Sequence, residues 1–208
     1  MHTQSDFEER LNAMSHGLGA LLGICAIVLL IVYDTSKTVY SLFSVLVYGI
    51  SIFILFTAST LYHSVKSERK RHVFRIIDHI SIYFLIAGTY TPVLLIALEQ
   101  SLGWILFFTV WGIAVFGVVL KLFYTGRFEI FSTLLYLLMG WLIVLDFYNL
   151  SEFIGSNGVL LFFAGGLSYT IGIIFYAIRM IPYNHVIWHL FVLAGAVCHF
   201  FMIFFYVI

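Results

Sequence analysis

The chain has 208 residues, 62% of them hydrophobic and 10% charged, with a mean hydropathy of +1.08. A soluble domain carries about a quarter charged residues, so this composition describes an integral membrane protein and leaves no room for a soluble domain. The formal net charge is zero, which gives nucleic acid no electrostatic reason to bind.

Seven apolar runs are each near the ~20 residues that cross a hydrocarbon core. They predict helices at about 14–33, 39–63, 78–98, 102–121, 130–149, 157–179 and 184–207. Asp6, Glu8, Glu9 and Arg10 precede the first run and no cleavage site follows it, so a cleaved signal peptide is not expected. Polar segments separate the runs at 34–37, at the charged stretch from Lys66 to Arg75, and at 99–101, 124–129, 151–157 and 179–183. The expected fold is all-α, a single seven-helix membrane domain over residues 1–208. Cys25 and Cys198 lie within apolar runs and read as small buried hydrophobes rather than a disulfide. No feature of the sequence points to a particular oligomeric state.

Loop charges orient the runs. Arg10, the five basic residues Lys66, Arg69, Lys70, Arg71 and Arg75, then Lys121, Arg127 and Arg179 fall on one side, against Lys37 alone on the other. The N-terminus is therefore expected in the cytoplasm and the C-terminus outside. In that topology polar residues of four runs collect at the cytoplasmic end: Asn12, Ser15 and His16; Ser59 to His63; Asp78 and His79; His185 and His189.

His185 and His189, four apart, lie on one helix face. His63 arrives at similar depth from another helix. Three imidazoles plus a water match a catalytic zinc site better than a closed structural one. Asp78 then has a place beside the metal, holding the water and accepting its proton, and Ser59 lies one turn before His63. Each residue also has a plainer use. His63 alone suits an interfacial hydrogen bond, Asp78 an ion pair with Arg75, and Ser59 a bond back to its own helix. Ionisable groups gathered at one depth in a membrane favour the joint reading. His16 either lines the same vestibule or bonds to Asn12. His79 points about 100° away from Asp78 around the helix. His199 is about 15 Å beyond His189 and suits a bundle hydrogen bond, while His2 and His72 read as solvated. Residues Gly88 to Pro92 predict a kink, with threonines satisfying freed carbonyls.

Several stretches, in order, resemble the hemolysin III family. They are Glu9 to Gly17, Ser59 to His63, Asp78-His79, Ala87 to Pro92, His185 to His189, and Gly195 to His199. That family is the bacterial branch of the progestin and adipoQ receptors, within a superfamily that includes alkaline ceramidases. The resemblance covers essentially the whole chain. It implies a seven-helix bundle in the bacterial cytoplasmic (inner) membrane, with zinc held by His63, His185 and His189, Asp78 acting through a water, and Ser59 nearby. It also implies metal-dependent hydrolysis of a lipid amide or ester, the lipid entering from the bilayer. Two other functions stay open: a cytolytic or channel-forming hemolysin, and a membrane sensor in which zinc is structural. A pore needs polar residues along its full depth, whereas here they crowd one end.

Overall fold

A computed structural model describes residues 4–178 and 180–208; His2 and Arg179 lie outside them. The described residues are helical throughout, with no strand: α1 (Asp6–Tyr33), α2 (Ser41–Ser64), α3 (Glu68–Pro92), α4 (Gly103–Tyr124), α5 (Glu129–Trp141), α6 (Phe147–Ala177) and α7 (Asn184–Met202). Wide π turns extend α3 through Val93–Ala97 and α7 through Ile203–Val207, and a 3-10 segment, Leu142–Asp146, joins α5 to α6.

Six helical runs are long and apolar enough to cross a bilayer, which makes this a multi-pass membrane protein. The fifth, Glu129–Ala177, has 49 residues, more than twice the required length, and covers the two runs expected at 130–149 and 157–179. It folds back on itself. Trp141 Nε1 donates to Thr170 Oγ1 at 3.1 Å although 29 residues separate them, about 43 Å along a straight helix. The reversal falls at Gly155, whose φ of 66° and ψ of −179° are open to glycine alone. The expected loop at 151–157 is thus a tight turn between two helical segments, centred on Gly155.

Two other boundaries moved. α1 begins at Asp6 rather than 14, because Ser5 and Glu8 form a reciprocal capping box. α3 begins at Glu68 rather than 78, so most of the charged stretch is helix. Hydropathy marks where a helix enters lipid; Glu, Lys and Arg extend it readily into water. Pro92 does not end α3. The backbone stays helical and widens into the π turn, while Thr89 and Thr91 donate to the carbonyls of Leu85 and Ala87.

Small residues decide which face of each apolar helix is buried. α1 is apolar nearly all round, yet only Asn12, His16, Gly19, Gly23, Ala26 and Leu30 are buried, a single stripe against α2. Gly19 lies under the Phe56 ring, and Gly23 against Ile52 and Phe53. Leu21, Leu22, Ile24 and Val28 face outward, as does Cys25, which was expected to be buried. α6 and α7 interlock similarly: His199 seats over Gly165, Trp188 over Gly172 and Tyr169 over Gly195. Close approach of this kind replaces the hydrophobic drive that lipid removes.

The two ends of the bundle differ. At one, Glu9 reaches His63 and Arg71, and Glu129 reaches Lys121 and Arg75, so the basic loops share that end. At the other, Lys37 Nζ donates to Val207 O at 3.0 Å, and Asp146 accepts from Ser101 Oγ and Leu102 N, both at 3.0 Å. The half nearer Lys37 is a dry core built on Leu94, Leu95, Leu98 and Ile203, none more than 1% exposed.

Tyr90 ties α3 to the break after α5. Its hydroxyl donates to Gly140 O and accepts from Ile143 N, each at 3.0 Å, which draws Ile143 N–H out of the α-helical pattern. Tyr90→Phe keeps the ring and orphans both backbone groups. It should lower stability in detergent by about 1–3 kcal/mol, read as a lower thermal midpoint of the purified protein.

Candidate metal centre

The start of α7 is set by a turn. Asn184 N donates to Ile181 O at 3.1 Å across Pro182 and Tyr183. Proline suits the second position of such a turn, and Tyr183 takes the left-handed conformation at φ 57°. The Asn184 side chain then donates to Phe175 O at 3.0 Å and fastens α7 to α6. His185 and His189 follow on one face, with ring centroids 4.6 Å apart.

His63, in the last turn of α2, faces both. Its ring centroid lies 5.1 Å from that of His185 and 4.9 Å from that of His189. One nitrogen from each of the three lies within 4.8 Å of the others, and among the described residues this is the one group of His, Cys, Asp or Glu with such geometry. A tetrahedral zinc with ~2.05 Å bonds to nitrogen needs its ligands ~3.4 Å apart, a small side-chain adjustment away. The hydrogen bonding fits a cation as well. His63 Nδ1 meets Glu9 Oε2 at 2.6 Å, and its Nε2 is buried without a partner. His189 Nδ1 donates to Asn12 O at 3.3 Å, which leaves its Nε2 as the lone-pair nitrogen. Zinc-binding histidines are held in this way, one nitrogen fixed by an oxygen and the other free for metal.

Asp78 and Ser59 both line the cavity beside this cluster. Asp78 does not pair with Arg75, whose nearest carboxylate is Glu129 at 3.5 Å. Ser59 is 1% exposed, and its hydroxyl stands beside the Asp78 carboxyl as a hydrogen-bonding neighbour. It does not bond back to its helix as Thr60 does to Phe56 O at 2.7 Å. Asp78 thus feels Arg75 only at longer range than a contact ion pair, alongside Ser59 and His63. Asp78 is within electrostatic reach of His63.

His16 lines the same cavity and does not bond to Asn12. Its ring stacks on His189 with centroids 3.6 Å apart and planes 6° apart, and both nitrogens are buried without partners. His79 also lines the cavity, in a second polar group. There Glu129 accepts from Lys121 Nζ at 2.7 Å and from Gly126 N at 3.0 Å, with His79 Nδ1 at 3.9 Å. His199 lies at the cavity's far end, its Nε2 3.3 Å from Phe162 O, the bundle hydrogen bond expected of it. His72 is exposed. The cavity encloses about 1200 Å³ including its open mouth, and Leu85, Ile86, Leu137 and Val192 give it an apolar wall.

Glu9 was not singled out by its chemistry in the sequence, although a signal exists. Glu9, Asn12 and His16 follow the spacing 3 then 4 along one face of α1, continuous with the buried glycines. Lys121 was missed because its apolar neighbours made it a loop boundary; it is 1% exposed.

A sequence profile described as "Haemolysin-III related" matches residues 5–200. The chain is 44% identical to "Hemolysin-3" of Bacillus cereus over 207 residues, 99% of this chain and 94% of that one. It is 42% identical to "Hemolysin-3 homolog" of Bacillus subtilis (strain 168) over 200 residues, 96% and 94% of the two chains. It is 30% identical to the human "Monocyte to macrophage differentiation factor" over 167 residues, 76% of this chain and 67% of the relative.

The Glu129 group makes a prediction of its own. Glu129→Gln leaves Lys121 buried beside a neutral amide and should destabilise the protein by roughly 3 kcal/mol. Lys121→Met should cost less, because Glu129 keeps Arg75 and Gly126. Thermal unfolding of the two purified variants, compared side by side, checks the order.

Proposed function

The chain belongs to the haemolysin-III-related family, and from that premise we propose that it is a zinc-binding membrane enzyme that hydrolyses a lipid amide or ester. The observation carrying this reading is the convergence of His63, His185 and His189, with His63 Nε2 buried and unpartnered, beside an apolar-walled cavity that Asp78 and Ser59 also line. We further propose seven crossings, the hairpin of Glu129–Ala177 supplying two. The N-terminus is then cytoplasmic and the C-terminus outside, supported by the basic residues gathered at the end where α1 begins. The cluster then lies beneath the inner headgroups of a bacterial cytoplasmic membrane.

Zinc, when bound, supplies a Lewis acid that polarises a carbonyl and acidifies water at neutral pH. The chain's own residues do the remainder. The apolar wall takes the acyl chain from the bilayer, and the Ser59 hydroxyl donates a hydrogen bond to the carbonyl oxygen. Asp78 accepts the proton of the attacking water and returns it to the departing nitrogen or oxygen as the C–N or C–O bond breaks. His16 closes one side of the site by its stack on His189.

A lytic activity is the second reading, favoured by the name of the Bacillus cereus relative. The dry core around Leu94 and Ile203 speaks against a pore through one subunit, so lysis would need a channel between copies. Conductance of purified protein in planar bilayers, absent from detergent alone, would support it. A sensor with purely structural zinc differs from the enzyme only in turnover.

Purified protein should carry close to one zinc per chain, and His63→Ala, His185→Ala and His189→Ala should each lose it; unchanged zinc in all three removes the site. Asp78→Asn should keep the metal and lower lipid turnover by about 10²-fold or more. Lipid profiles of cells with and without the gene should differ in one amide or ester class, and an unchanged profile would favour the sensor.

A further inference from the structure

We infer that Glu9 and Arg71 are positioning residues that set the metal affinity of His63, an inference that rests on the zinc reading above. Glu9 lies in the first turn of α1, placed there by the Ser5 capping box. Its two oxygens have different tasks. Oε2 meets His63 Nδ1 at 2.6 Å, and Oε1 receives Arg71 Nη2 from the first turn of α3. The guanidinium of Arg71 lies over the Tyr62 ring, 5.3 Å from its centroid, next to His63 in sequence. One carboxylate thereby joins three helices around a single imidazole.

The geometry assigns the proton. An ionised carboxylate only accepts hydrogen bonds, so His63 carries its hydrogen on Nδ1, and the lone pair sits on Nε2, the nitrogen buried without a partner. Without Glu9 the imidazole is free to place its hydrogen on either nitrogen and to turn about its side-chain bonds. The carboxylate also makes the ring a stronger electron donor. Arg71 acts at one remove: its hydrogen bond to Oε1 keeps the Glu9 carboxylate aimed at His63. The plain alternative is that Glu9 is a structural clip between helix ends. A clip predicts lost stability with unchanged zinc affinity, whereas a positioning residue predicts the reverse.

The test is zinc titration of the full-length, metal-stripped protein in detergent, in competition with a chromophoric chelator. Thermal unfolding of each metal-stripped variant accompanies it. Glu9→Leu should weaken zinc binding 10- to 100-fold. Glu9→Gln, whose amide oxygen still accepts from Nδ1–H, should weaken it less and so act as partial rescue. Arg71→Leu should weaken binding in the same direction, and the Glu9→Leu/Arg71→Leu pair should be no worse than Glu9→Leu alone. Nitrogen NMR of 15N-histidine protein, with His63 assigned by comparison with His63→Ala, should show the Nδ1–H tautomer in the metal-stripped wild type. It should show a mixture in Glu9→Leu. Should Glu9→Leu fail to fold, Glu9→Gln and Arg71→Leu carry the same comparison. A wild type that takes up no zinc overturns the zinc reading itself. A wild type that takes up zinc while all Glu9 and Arg71 variants match it within twofold, or whose His63 carries its proton on Nε2, overturns this inference alone.

Discussion

The hydrogen bond between Glu9 and His63, 2.6 Å long, is the constraint around which the polar end of the bundle is arranged. Imidazole is a poor guest in hydrocarbon. Five of these rings, His16, His63, His79, His185 and His189, nevertheless stand at one end of a bundle whose other half is packed with leucine and isoleucine. Two of their nitrogens are spoken for, one on His63 by Glu9 and one on His189 by the Asn12 carbonyl, while both on His16 and one each on His63 and His79 are buried without partners. The nitrogen left over on His63 is buried without a partner in a ring that lies about 5 Å from those of His185 and His189. A group of histidines serving only to pack would be expected to satisfy both sides of each ring.

The flanking polar group follows the same logic with different chemistry. Lys121 is buried as completely as Leu95 and Leu98 of the core, and the Glu129 carboxylate answers it. Glu129 also faces Arg75 and the Gly126 amide, so one side chain holds the ends of three helices. Glu9 does likewise for α1, α2 and α3. The end of the bundle that carries the chemistry is thus fastened by two carboxylates, and the opposite end by apolar packing and the Asp146 hydrogen bonds. Ionic fastening near the interface and dry packing deeper in is the division expected where the cost of charge rises with depth.

Much of this was legible in the sequence, for identifiable reasons. Hydropathy gave the apolar runs, and the four-residue spacing of His185 and His189 gave a shared face. Shared depth at the ends of the apolar runs brings His63, Asp78 and Ser59 to the same place. What escaped had equally specific causes. Hydropathy is blind to helix extending beyond the membrane, so the starts of α1 and α3 were set too late. It is also blind to a turn made by one residue, so the reversal at Gly155 was read as a seven-residue loop. Glu9 lay in the segment set aside as the water-exposed approach to the first span, and its partner, 54 residues on, could be found only by folding the chain.

The interlock between α6 and α7 bears on how such a site can change. Three aromatic side chains, His199, Trp188 and Tyr169, are seated over three glycines spread along the shared face. Sliding one helix past the other by a single turn would unseat all three together, so the pair behaves as one rigid beam. Both imidazoles of α7 ride on that beam and keep their mutual spacing. The opposite bank is built in the same way: Gly19 of α1 lies under Phe56, Gly49 of α2 meets Ile27 and Gly88 of α3 meets Ser51, so His63 is carried by a second interlocked unit that faces the first.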